Sequence, residues 1–98
     1  MSEAEDRQLL RAGDTAIIEA TGTRLVFASD VAAMALVCEA IAADPDAEVG
    51  ETLLWVMSRA WKSGDVDVPS LLLAVEAEHE GDARAGADQA LRWLGIRR

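Results

Sequence analysis

The thirteen residues from Val31 to Ala43 carry a single charged side chain, Glu39. Wound as a helix, they place Val31, Met34, Val37, Cys38 and Ile41 on one broad face, with Ala33, Leu36 and Ala40 on the far side. A helix that is apolar nearly all round has to be covered on several sides. The run falls short of the roughly 20 apolar residues that a bilayer span takes. The chain must therefore supply the cover itself. Val31–Ala43 is expected as the central helix of the fold, with Ser29 or Asp30 as its cap.

Most of the flanking sequence carries helical punctuation. Ser2 and Glu5 have capping-box spacing at the start of a short helix over Ser2–Ala12, with Gly13 as its stop. Glu3, Glu5 and Asp6 precede Arg7 and Arg11, as the helix dipole favours. Asp44 and Pro45 suit the cap and first position of a helix running to about Ser63, ended by Gly64. On it Val49, Leu53, Leu54, Val56, Met57, Ala60 and Trp61 share the apolar face, and Glu48, Glu51, Thr52, Arg59 and Lys62 the polar one. After a Gly64–Pro69 loop, Pro69 and Ser70 open a helix to about Glu80. Gly81 interrupts, and Asp82 caps a last helix to about Leu94, which Gly95 ends.

The segment Thr15–Ala28 reads differently. Two runs rich in β-branched residues, Thr15–Ala20 and Thr23–Ala28, flank Thr21-Gly22. A two-residue turn there sets Glu19 opposite Arg24, Ile18 opposite Leu25 and Ala16 opposite Phe27, so the charge pair and the apolar face agree on one register. The competing reading winds Asp14–Ala20 into one or two helical turns. The expected fold is α+β and mostly helical: a β-hairpin at about 15–28 packed on about five helices, in one domain over residues 1–98.

Eighteen acids against nine bases give a net charge of −9. Direct nucleic-acid binding and docking on anionic membranes both need basic patches, so neither is expected. A protein partner with a basic surface is compatible with this charge. The acidic start, Met1–Asp6, lacks the features of a signal peptide, and one cysteine permits no intramolecular disulfide. A cytoplasmic protein is expected by elimination.

Catalytic constellations are scarce. The lone thiol, Cys38, falls on the apolar face of the central helix, and the lone imidazole, His79, continues an apolar stripe. An inert core cysteine fits better than a nucleophile, which needs an adjacent base and an electropositive setting. One Cys and one His do not make a four-ligand zinc site. Asp65 and Asp67 form a D-x-D loop without the further oxygen ligands of a calcium loop. Neither a phosphate-binding glycine loop nor a G-x-S-x-G elbow occurs, so no metal, no cofactor and no catalytic residue is assigned.

Trp55 is the outlier. It lies in the middle of a polar helix face, between Glu51 and Arg59, where its own helix's core has no use for an indole, so either it anchors a partner or another part of the chain, the hairpin or the N-terminal helix, covers it. Tryptophan is enriched among the residues that anchor protein interfaces. Trp61 is expected in the core, and Trp93 at the core edge or in a dimer contact. The acids cluster at Asp44-Asp46-Glu48-Glu51, Asp65-Asp67 and Glu76-Glu78-Glu80-Asp82. The expected partner-binding set is Trp55, Glu48, Glu51, Arg59, Asp65, Asp67, Glu76 and Glu80. The function expected is that of a non-catalytic inhibitor or regulator covering a partner protein's surface, in its sharper form a nucleic-acid mimic on a basic groove. The alternative is a homodimeric assembly or chaperone-type protein, joined through the hairpin edge or the central helix.

Overall fold

The computed structural model describes residues 2–43 and 47–97. They form six helices and no strand: α1 (Glu3–Leu10), α2 (Thr15–Phe27), α3 (Val31–Ala43), α4 (Ala47–Ser63), α5 (Val68–Glu78) and α6 (Gly81–Trp93). None is long and apolar enough to cross a membrane. The predicted Asp44–Pro45 start of α4 lies outside the described residues.

The fold is therefore all-helical, and the predicted α+β class with a hairpin at 15–28 is overturned. That segment is the continuous helix α2. Asp14 caps it by accepting the Ala16 N–H at 2.9 Å. Ile18, Thr21, Gly22, Leu25 and Val26 are buried, a spacing of three and four rather than two. Gly22 is not a turn. A Cβ built on it would lie 2.5 Å from Leu53 Cδ2, so the glycine seats a leucine of α4. Glu19 and Arg24 do not meet across strands either. Glu19 accepts from Arg59 of α4 at 2.9 Å, and Arg24 pairs with the buried Asp6 of α1. The β-branched residues cost a few tenths of a kcal/mol each in helix propensity. Burying a single Ile, Leu or Val contributes about 1.5–3 kcal/mol, so packing decides the conformation.

α3 is the central helix that its composition requires. Ala33, Met34, Ala35, Leu36, Val37, Cys38 and Ile41 are all buried. It touches each of the other five helices. Asp30 accepts the Ala33 N–H at 3.3 Å at its start, and Ser29 takes the left-handed conformation just before it. α6 comes nearest. Its inward face is Ala83, Gly86, Ala87, Ala90 and Leu91, and the four small residues let backbone meet backbone. A Cβ on Gly86 would lie 1.8 Å from the Cys38 carbonyl oxygen. α6 begins at Gly81, with Glu80 at the cap position making no side-chain cap, so Asp82 falls inside the first turn instead of capping it.

Ion pairs tie the periphery down. α1 buries Leu10, holds Asp6 against Arg24, and sets Arg7 on Glu39 of α3 through bonds of 3.0 and 3.3 Å. At the other end, Gly95 adopts φ +79° and a Schellman turn forms, with the Ile96 N–H on the Leu91 carbonyl at 2.9 Å and the Gly95 N–H on that of Arg92 at 3.1 Å. The turn sends Arg97 back to α5 and α6, where it donates to both Glu76 oxygens at 2.7 Å and to Asp88 at 2.8 Å.

Two measurements test this packing. Gly86→Ala is expected to destabilise by about 3 kcal/mol or more, because only backbone could give way. Gly22→Ala is expected to cost about 1–2 kcal/mol, since the far end of Leu53 can rotate. Urea denaturation ranks them, and equal costs would contradict the backbone contact. Separately, Arg97 holds the Glu76 and Asp88 carboxyls below their ordinary range, chiefly through its hydrogen bonds. Such groups stabilise the fold above their unfolded pKa, and the contribution is lost as pH falls through the folded value. Stability of the native chain should therefore fall from about pH 5 downward, and Arg97→Gln should flatten that decline.

Candidate functional site

On the outer face of α4, Glu48, Glu51, Trp55, Arg59 and Lys62 follow one another along a stripe. Trp55 is 50 % exposed. Its partner comes from α6, the helix whose inward face is mostly Ala and Gly and whose Trp93 lies on the flank. The Trp55 and Trp93 rings meet edge to face, with centroids 5.0 Å apart and planes at 83°. Edge-to-face contact suits the ring quadrupoles and contributes about 0.5–1.5 kcal/mol beyond area burial.

The pair forms one corner of a shallow cleft of about 200 Å³, completed by Ser58, Trp61, Lys62 and Leu94. Small-molecule sites enclose roughly 300–1,000 Å³. This cleft is smaller and open, and suits one or two side chains of a larger ligand. Trp61 and Trp93 are 38 % and 42 % exposed. Trp61 is thus not the core residue that its place on the apolar face suggests. Met57 and Ala60 stay in the core, and the indole one residue further lies at its rim.

The lining has a definite polarity. Indole N–H groups and the ammonium of Lys62 only donate hydrogen bonds, and Ser58 alone brings a side-chain acceptor. Among the described residues none of the three indoles nor Lys62 has an internal hydrogen-bond or ion-pair partner. The other nearby cations are neutralised: Arg59 by Glu19 at 2.9 Å and Arg92 by Asp88 at 3.0 Å. Lys62 is the uncompensated charge at the cleft.

Of the eight residues expected to bind a partner, Trp55 alone lines this cleft. Glu51 and Glu48 are exposed on the same helix, one and two turns toward its start. Arg59 is engaged with Glu19. Asp65 is exposed in the loop after α4. Asp67 caps α5 through the Ser70 amide at 3.3 Å and hydroxyl at 2.8 Å. Glu76 is held by Arg97, and Glu80 stands exposed before α6. Sequence reasoning missed Trp61, Trp93, Lys62, Ser58 and Leu94 as site residues. The available signal was the helical spacing of Trp55, Ser58 and Lys62; the contribution of α6 needed the tertiary fold.

Cys38 is fully buried, beside the Gly86 backbone. Burial, with Glu76 adding to it, pushes its thiol up to about 12, away from the thiolate that attacks substrates. His79 ends α5, its N–H on the Val75 carbonyl at 2.9 Å. Among the described residues no group of three or more His, Cys, Asp or Glu could hold a metal. No family model, curated protein or solved structure matches the chain, so the chemistry of the cleft carries the functional argument alone.

Native Cys38 should resist a disulfide-exchange reagent at pH 8 and react fully in denaturant. Rapid labelling of folded protein would contradict the burial described.

Proposed function

We propose that this chain is a non-catalytic regulator that docks on a partner protein through the Trp55–Trp61–Trp93 cleft and covers the surface to which it binds. One observation carries the reading. The chain has four aromatic residues, three Trp and one Phe, and it places all three tryptophans around one open cleft while the core is built of Leu, Val, Met, Ile and Ala. A small core gains most from burying large rings. Leaving them at the surface costs that burial, and a partner restores it. Tryptophans at the centre of an interface are typical anchors.

The sharper form, an acidic face filling a basic groove, needs a continuous set of available carboxylates. Asp67, Glu76 and Asp88 are already bound within the chain. Glu51, Glu78, Glu80 and Asp82 are exposed and supply a long-range negative field. Of the surfaces named for a homodimer, no strand edge exists among the described residues and α3 is buried in the core, while Trp93 is exposed.

The test compares capture of the partner from the native host by the wild type, Trp55→Ala and Leu73→Ala. Leu73 is equally exposed, on α5, away from the cleft. Wild type and Leu73→Ala should retain one stoichiometric partner. Trp55→Ala should lose about 2 kcal/mol of binding or more, near 30-fold. Its fold should stay intact while losing the ring contact, about 0.5–1.5 kcal/mol, and the burial of half an indole, about 3 kcal/mol more. Equal loss in both variants, or an unfolded Trp55→Ala, would overturn the reading.

A further inference from the structure

We infer that the occupant of the tryptophan cleft is a short apolar segment of a partner carrying a single carboxylate, which Lys62 receives; this rests on the docking role proposed above. The first support is the polarity of the lining. Three indoles, whose only polar group is a donor, and an ammonium line the cleft, with one hydroxyl as the only side chain able to accept. A segment offering acceptors and negative charge satisfies them. A basic segment would set cation against cation at Lys62.

The second support is area. Taking roughly 250 Å² for a whole indole, the exposed parts of Trp55, Trp61 and Trp93 amount to roughly 300 Å². A stable dimer buries about 800 Å² on each partner. The cleft by itself is less than half of such an interface, and it matches a few side chains of one helix or extended stretch.

The third support is the balance of charge. The chain as a whole carries −9, which repels a tract of acids. Lys62 offers one uncompensated positive charge, because Arg59 and Arg92 are paired. One carboxylate beside apolar side chains fits both facts; a run of them does not.

A displayed library of random 12-residue segments, selected against the full chain, tests this directly. Selection should enrich apolar and aromatic residues with one Asp or Glu. The best synthetic segment should weaken about 30-fold or more against Trp55→Ala. It should weaken about fivefold when its acid is made an amide, and equally in Lys62→Gln, with no further loss when both changes are combined. Selection against Lys62→Glu should turn toward segments bearing Lys or Arg. Enrichment of basic segments by the native chain, still lost in Trp55→Ala, would overturn the carboxylate inference and leave the docking role standing. Enrichment indifferent to Trp55→Ala, or none at all, would overturn both.

Discussion

The close approach of α6 to α3 is the contact on which the remaining helices depend. At Gly86 a methyl group would collide with the Cys38 carbonyl, so these two helices are separated by little more than their backbones. Ala83, Ala87 and Ala90 extend the same flat surface along α6. With α6 so near, it gives the core one bulky residue, Leu91, and most of the rest come from elsewhere. Leu53, Val56 and Met57 of α4 and Leu72 and Val75 of α5 supply them. Near its end α6 sends Leu91 inward to the core and Trp93 to the flank, where it meets Trp55. The geometry of the outer cleft thus follows from a requirement for small residues on the inner face.

Charge is arranged to the same end. Five arginines join acids within the fold: Arg7, Arg24, Arg59, Arg92 and Arg97. Three of these pairs fasten different helices together, α1 to α3, α1 to α2 and α2 to α4. Exposed pairs contribute little each, commonly below about 1 kcal/mol. Their larger effect is to settle which helix faces which, since the acids far outnumber the bases and a misplaced arginine leaves several carboxylates crowded together. Lys62 stands apart from this network and keeps its charge available at the cleft.

Much of this fold can be read in the residues. The near-uniform apolarity of Val31–Ala43 dictated a covered central helix, and the spacing of Leu53, Val56, Met57 and Ala60 defined the inner face of α4. The Thr15–Ala28 segment could not be read locally. Its β-branched runs and a central glycine satisfy a hairpin and a helix alike, and the choice is made by Leu53, which lies 31 residues downstream of Gly22 and fills its notch. The cleft was half legible. An indole on a polar helix face marked Trp55, but Trp93 became its neighbour only through the descent of α6 onto α3. Trp61 was misjudged because periodicity describes a helix of indefinite length, whereas the core beneath it ends.

The edge-on meeting of Trp55 and Trp93 has an optical consequence. Two indoles held nearly perpendicular at 5.0 Å have transition dipoles close enough to couple, and they belong to different helices. Their ultraviolet circular dichroism therefore registers the distance between α4 and the end of α6 without any attached label. The protein carries its own ruler at the corner of its open cleft.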